Sequence, residues 1–105
     1  MTELSVEELE RWRLSGRSFV LLDVREAHEL AVASIGGALH VPMREIPARI
    51  GEIDRDAEIA VLCHHGARSR HAAMYLAANG FERVYNVDGG IDAYARRVDS
   101  SVGTY

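Results

Sequence analysis

Two short, uninterrupted apolar runs dominate the hydrophobic pattern of the chain. Residues 19–22 lead into Asp23-Val24-Arg25, and residues 59–63 lead into a polar stretch that contains a glycine. Apolar runs without alternation are typical of strands covered on both faces of a parallel sheet. The pattern therefore predicts two central strands, and shorter apolar segments predict further strands at 39–41 and 84–87.

Apolar residues at helical spacing surround these predicted strands. Ser5 and Glu8 form a capping-box pattern at the start of a first helix. A short or broken helix is expected within 46–53, a longer one from about Ser69 to Asn79, and a last one over 91–97. Strands that alternate with helices predict an α/β fold with a mainly parallel central sheet and helices on both faces.

Length and charge narrow the class of protein. The 105 residues, of which 48% are hydrophobic, predict one domain over 1–105, with residues 98–105 as a polar C-terminal tail. The net charge is −4 and the arginines are spread along the chain, so nucleic acid is not an expected partner. Neither a signal peptide nor an apolar run of the ~20 residues that span a bilayer is recognisable. We expect a cytoplasmic monomer without a membrane partner.

The composition also restricts the chemistry. Cys63 is the only cysteine, and all 12 basic residues are arginine. These two facts exclude internal disulfides, Cys-x-x-Cys pairs, Schiff-base chemistry and a phosphate-binding lysine.

Cys63 lies where a ligand is expected in an α/β sheet, at the carboxyl end of a predicted strand. A loop containing Gly66 and the start of a helix follow, and the free amides of a helix N-terminus favour an anion. Arg68 adds a fixed positive charge, and Ser69 is a candidate helix cap or hydrogen-bond donor to a bound oxyanion. This setting favours a reactive thiolate at Cys63 over an inert buried thiol.

Three segments outside this loop complete a recognisable pattern. They are residues 22–26 (LDVRE), 35–42 (IGGALHVP) and 86–94 (NVDGGIDAY). Together with the loop Cys63-His64-His65-Gly66-Ala67-Arg68-Ser69, they make the chain resemble the single-domain rhodanese (thiosulfate sulfurtransferase) family over nearly its whole length.

The resemblance implies a three-layer rhodanese-like fold and a ping-pong sulfur transfer. Cys63 would take a sulfane sulfur from thiosulfate or another persulfide donor, and would pass it to a thiol, cyanide or a sulfur-carrier protein. The amides of His64, His65, Gly66, Ala67, Arg68 and Ser69 would cradle the persulfide. Arg68 would bind the oxygens of thiosulfate, and no cofactor is needed. Asp23 and Arg25 are candidates for supporting the loop, although a purely structural turn explains them equally well.

Two alternatives from other functional classes stay open. Cysteine phosphatases and rhodanese-like arsenate reductases also use a cysteine loop that ends in arginine, but they place five residues between the two, whereas four separate Cys63 from Arg68. The smaller loop suits sulfur better than a tetrahedral oxyanion. A non-catalytic binding module would have no physical need for a thiol, a glycine turn and an arginine together.

A metal site is the least favoured reading of the loop. His64, His65 and Cys63, with His71, offer suitable ligand atoms, but adjacent histidines are expected to point in different directions. We therefore assign no metal ligands. Asp88-Gly89-Gly90 is interpreted mainly as a strand-to-helix connection.

Overall fold

In the computed structural model, which describes residues 1–105, a single parallel sheet of five strands organises the chain. The strands are β1 (Thr2–Leu4), β2 (Val20–Asp23), β3 (Leu39–His40), β4 (Ile59–Leu62) and β5 (Val84–Val87). Their spatial order is β1-β5-β4-β2-β3, and every neighbouring pair is parallel. The carboxyl ends of β2, β4 and β5 therefore meet at one edge of the sheet.

Five α-helices connect and cover these strands. They are α1 (Val6–Leu14), α2 (Ala27–Val32), α3 (Ile46–Arg49), α4 (Ala67–Ala78) and α5 (Gly90–Arg97). Short 3-10 turns stand at Met43–Glu45, Ile50–Glu52 and Ser100–Val102. None of the helices has the length and apolar content that crossing a membrane requires.

The centre of the sheet is buried on both faces, as the uninterrupted apolar runs predicted. All of β4 is buried, and its side chains alternate between two apolar cores. Ile59 and Val61 join the core that includes α4, whereas Ala60 and Leu62 join the core that includes α1 and α5. The predicted α/β architecture with helices on both faces is confirmed.

Two elements were not predicted from the sequence. The edge strand β1 is too short for a pattern, and only Leu4 of it is buried, opposite Val87 of β5. The helix α2 has no apolar stripe, since its one buried residue is Glu29. Hydrophobic periodicity cannot reveal elements of this kind.

The C-terminal segment, predicted as a polar tail, contacts one of the apolar cores and the loop after β4. Val98 and Val102 pack against the core formed with α1 and α5. The chain then returns toward the carboxyl edge of the sheet, where the Tyr105 ring stacks on the His64 ring with centroids 3.8 Å apart. Residues 98–105 thus reach the loop that follows β4.

Candidate active site

Cys63 follows the last residue of β4 directly, at the sheet edge predicted for a ligand. The residue is only 1% exposed, so its sulfur lies beneath the surface of the loop. The Gly66 amide donates to the Cys63 Sγ over 3.0 Å, and the Ser69 hydroxyl lies 3.3 Å from the same atom. The Gly66 amide is thus a fixed donor to this sulfur, and the Ser69 hydroxyl is a second group whose proton can turn toward it, an arrangement that favours negative charge on the sulfur.

Gly66 makes the turn that aims its amide at the sulfur. Its φ of +107° lies in a region that side chains rarely adopt, and α4 begins at the next residue, Ala67. A Cβ atom on Gly66 would lie 3.2 Å from the Gly89 amide nitrogen. Glycine is thus required at position 66 by the backbone conformation and by the close packing against Gly89.

The turn between β5 and α5 holds the backbone of Cys63 and His64. The Ile91 amide donates to the Cys63 carbonyl over 2.9 Å, and the Asp92 amide donates to the His64 carbonyl over 3.0 Å. A Cβ atom on Gly90 would fall 2.5 Å from the Cys63 carbonyl oxygen. Asp88-Gly89-Gly90 is therefore more than a strand-to-helix connection, because it allows direct contact with the loop.

A buried polar chain extends from Cys63 to the edge strand. The Ser69 hydroxyl lies 2.5 Å from Asn86 Oδ1, so its single proton serves either that oxygen or the Cys63 Sγ, and Asn86 Nδ2 donates to Glu3 Oε1 over 2.9 Å. Ser69 and Asn86 are fully buried. Ser69 lies in the first turn of α4, whose N-cap is Gly66, so its hydroxyl faces the sulfur and Asn86 instead of capping the helix.

Arg68 is engaged in a two-point ion pair with Glu29. Its Nη1 donates to Oε1 over 2.7 Å and its Nη2 to Oε2 over 2.8 Å. The Arg68 hydrogen bonds hold the pKa of Glu29 well below its usual range, and the same contact raises the pKa of Arg68. The guanidinium predicted to bind thiosulfate oxygens is thus already bound to a carboxylate of α2.

Asp23 and Arg25 form a second ion pair, which is completely buried. Arg25 Nη2 donates to Asp23 Oδ2 over 2.7 Å, and Arg25 Nε donates to Asp23 Oδ1 over 2.9 Å. Arg25 Nη1 donates to the Tyr105 hydroxyl over 2.9 Å, and that hydroxyl donates to Glu29 Oε2 over 2.8 Å. The pair therefore reaches the loop through Tyr105, which stacks on His64.

The adjacent histidines do not point apart, so that expectation was wrong. The rings of His64 and His65 lie 3.8 Å apart with an angle of 32° between them. Their nitrogens and the Asp92 carboxylate lie within 4.8 Å of one another. The two rings are tilted against each other, and with Asp92 they offer at most three ligand atoms, one fewer than a structural zinc site uses. We therefore keep the assignment of no metal ligands.

His64 is held as a neutral ring. Burial lowers the pKa of His64 from its ordinary value, and the neighbouring His65 lowers this pKa further. Its Nε2 atom is buried without a hydrogen-bond partner. A positive charge on this ring is therefore disfavoured near neutral pH.

Sequence reasoning missed three residues that complete the site: Glu29, Asn86 and Tyr105. Asn86 carried a signal, since it is a polar residue inside an otherwise apolar strand. No local sequence signal pointed to Glu29 or Tyr105, because only the folding of α2 and of the C-terminal segment brings these residues to the loop.

Comparison with known proteins places the chain in a family. The family model of the rhodanese-like domain matches residues 5–97. A sulfurtransferase from Allochromatium vinosum is 38% identical over 96 residues, which cover 91% of this chain and 90% of that protein. Two further curated relatives are longer chains, of which this sequence spans 30% and 48%.

Solved structures agree with this result. A rhodanese-like domain protein from Staphylococcus aureus matches with a TM-score of 0.84 and 31% identity, over 90% of this chain and 91% of that one. A NAD-dependent persulfide reductase from A. fulgidus matches with a TM-score of 0.72 and 34% identity, over 90% of this chain and 16% of the reductase. The chain belongs to the rhodanese-like family, which includes sulfurtransferases.

Proposed function

We propose that the protein is a sulfurtransferase that carries a sulfane sulfur on Cys63. The observation that carries this proposal is the position of the Cys63 Sγ, at the end of β4, with the Gly66 amide and the Ser69 hydroxyl directed at it. No charged side chain hydrogen-bonds to the sulfur, so its negative charge is met by neutral donors and by the N-terminus of α4, with Arg68 and Arg70 near enough to act on it electrostatically.

The proposed reaction has two half-reactions, and each is a displacement at sulfur. The Cys63 thiolate attacks the outer sulfur of the donor, the bond within the donor breaks, and its electron pair leaves with the donor remnant. With thiosulfate that remnant is sulfite, and with a persulfide it is a thiolate. A thiol, cyanide or a sulfur-carrier protein then attacks the outer sulfur on Cys63 and restores the thiolate.

The backbone of the loop serves both half-reactions. The outer sulfur extends beyond the buried Cys63 Sγ, toward the amides at the start of α4. Gly66 supplies the amide closest to Cys63, and the hydrogen bonds from Ile91 and Asp92 fix the carbonyls of Cys63 and His64. A loop fixed in this way needs little reorganisation when charge moves between sulfur atoms.

The phosphatase and arsenate-reductase alternatives fit the site less well. Both require a guanidinium that is free to clasp the oxygens of a tetrahedral anion, whereas Arg68 is paired at two points with Glu29. A non-catalytic binding module would have no need for the Gly66 amide and the Ser69 hydroxyl to face the Cys63 sulfur. No observation favours either alternative over sulfur transfer.

Thiocyanate formation tests the proposal. The protein is incubated with thiosulfate or with the persulfide of 2-mercaptoethanol, cyanide is added, and the uncatalysed rate is subtracted. We expect thiocyanate from the wild type, none above background from Cys63→Ser, and no turnover of an aryl phosphate or of arsenate with reduced thiol. An active Cys63→Ser variant, or phosphate or arsenate turnover without sulfur transfer, would contradict the proposal.

A further inference from the structure

We infer that Tyr105 is a gate over the loop of residues 63–69: its ring covers the loop and limits the size of the reactants that reach Cys63 until the ring swings away. Such a gate acts on any reactant that approaches the thiol, so it goes beyond the proposed function and does not depend on it. The depth of the sulfur, the position of the Tyr105 side chain and the way its segment is held together point to this role.

The Cys63 sulfur lies below the surface, and no open cavity reaches it. The residue is 1% exposed. The two surface cavities of the molecule, of about 370 and 300 Å³, lie elsewhere, and no residue of the loop 63–69 lines either of them. A reactant must therefore displace part of the structure to touch the sulfur, and a larger reactant must displace more of it.

The Tyr105 side chain connects the two ends of the loop. Its ring stacks on the ring of His64, the residue after Cys63, with centroids 3.8 Å apart and an angle of 7° between the planes. Its hydroxyl donates to Glu29 Oε2 over 2.8 Å, and the same carboxylate binds Arg68 near the other end of the loop. The side chain thus lies where a cover over the loop is expected.

The hydroxyl holds the ring in this closed position. It accepts a hydrogen bond from Arg25 Nη1 over 2.9 Å and donates its own proton to Glu29. Burial raises the pKa of Tyr105, so the hydroxyl keeps the proton that it donates. A hydrogen bond to a charged group shifts an equilibrium by about tenfold or more, and Tyr105 makes two of them. The closed position is therefore the favoured one.

The backbone of residues 103–105 leaves the ring free to move. None of these three residues takes part in a backbone–backbone hydrogen bond, and the last such bond of the chain joins the Val102 amide to the Asp99 carbonyl. Gly103 follows at once with a φ of +89°, a conformation that favours glycine, and provides a hinge. Tyr105 is 39% exposed, so its ring can turn toward solvent without opening the apolar cores.

Two uncharged thiol reagents with the same chemistry and different sizes measure the gate. Methyl methanethiosulfonate and benzyl methanethiosulfonate are each mixed with the protein, and the gain in mass is followed over time. In both cases the Cys63 thiolate attacks the divalent sulfur, a disulfide forms, and methanesulfinate leaves with the electron pair of the broken S–S bond. Because Cys63 is the only cysteine, the mass reports this residue alone. The readout is the ratio of the methyl rate to the benzyl rate, divided by the same ratio for N-acetylcysteine.

Three variants separate the gate from a purely structural role of Tyr105. Tyr105→Ala removes the ring, whereas Tyr105→Phe keeps the ring for the stack with His64 and loses only the two hydrogen bonds. Tyr75→Ala is the matched control, because Tyr75 is also 39% exposed and lies on α4 outside the loop. A contribution of Tyr105 to stability alone would change urea unfolding and leave the size ratio as it is.

We expect the wild type to discriminate against the benzyl reagent about tenfold or more relative to the free thiol, because only the open fraction admits it. Tyr105→Ala should abolish most of this discrimination, Tyr105→Phe should reduce it, and Tyr75→Ala should leave it unchanged.

A wild-type ratio equal to that of N-acetylcysteine would overturn the inference, and this comparison needs no variant. A ratio that neither Tyr105→Ala nor Tyr105→Phe changes would overturn it as well, as would an equal acceleration of both reagents, which would indicate a more reactive thiol instead of a wider entrance. The reaction needs the thiol but no sulfur transfer, so failure of the gate and failure of the proposed function are measured separately.

Discussion

The Ile91 amide donates a hydrogen bond to the carbonyl of Cys63 over 2.9 Å. The contact links the first residues of α5 to the end of β4, so the backbone of Cys63 is fixed by a residue that lies 28 positions further along the chain. It is possible only because Gly90, with φ +61° and no side chain, allows the two backbones to approach.

Gly90→Ala is therefore expected to destabilise both the fold and the site. The new Cβ would lie 2.4 Å from the His64 carbonyl oxygen, on a residue that already has a positive φ. The strained backbone and the overpacking together predict a loss of about 2–5 kcal/mol in the free energy of unfolding. Urea denaturation measures this loss. Gly36→Ala is the control and should change stability by no more than about 0.5 kcal/mol, since its Cβ meets nothing within 4 Å. Equal effects of the two substitutions would contradict the close approach.

The buried pair of Asp23 and Arg25 is expected to stabilise the fold far more than an exposed pair does. Asp23→Ala leaves a fully buried guanidinium without its carboxylate, which predicts a loss of about 3–5 kcal/mol. Glu8→Ala removes the partner of Arg11 at the surface of α1 and should cost less than about 1 kcal/mol. Thermal or urea unfolding of both variants checks the contrast, and a loss of similar size in each would refute it.

The Ser69 hydroxyl is expected to support the charge on sulfur. Ser69→Ala removes one of the two donors that face the Cys63 Sγ, and a preorganised donor to a developing anion is typically worth about 10²–10³ in rate. Because the single hydroxyl proton also has Asn86 Oδ1 as an acceptor, we expect a smaller loss of about tenfold. Cyanide-coupled sulfur transfer measures it, with Ser101→Ala as a control on the exposed C-terminal segment. Unchanged transfer in Ser69→Ala would show that the hydroxyl serves packing alone.

The half-buried His64 ring predicts a stability change in mildly acidic solution. In the folded protein its pKa lies below the ordinary value of about 6.5, chiefly because of burial. As pH falls through about 6.5, the unfolded chain binds a proton first, so the free energy of unfolding decreases until pH reaches the folded-state pKa. Above this window the group contributes no pH dependence.

His64→Phe isolates this contribution, because it keeps an aromatic ring for the stack with Tyr105. Urea unfolding between about pH 7.5 and pH 5.5 should show a steeper loss of stability on acidification in the wild type than in the variant. Identical slopes would mean that His64 titrates alike in the folded and unfolded chain.

The parts of this molecule that depend on local sequence were predictable. The run at 59–63 indicated a strand buried on both faces, and the residues after it indicated a glycine turn and the start of a helix directly beyond Cys63. All of these features lie close to Cys63 along the chain, so the neighbouring residues are sufficient to reveal them.

The parts that depend on topology were not predictable. Glu29 reaches Arg68 only because β2 and β4 are parallel neighbours whose carboxyl ends coincide. The edge strand β1 gains its order from pairing with β5, and Tyr105 gains its place from the return of the C-terminal segment. Hydrophobic periodicity does not reveal such contacts. This is why Arg68 was predicted to bind the oxygens of thiosulfate, although its guanidinium is paired with Glu29.

Intact-mass analysis of the protein after exposure to a sulfur donor tests the central claim most directly. After incubation with the persulfide of 2-mercaptoethanol and removal of the donor, the account predicts a gain of one sulfur atom, located on Cys63 by peptide analysis and lost again when cyanide is added. Cys63→Ser should show no gain. A wild-type protein that acquires no sulfur on Cys63, or a variant that acquires it elsewhere and still transfers it, would contradict the account.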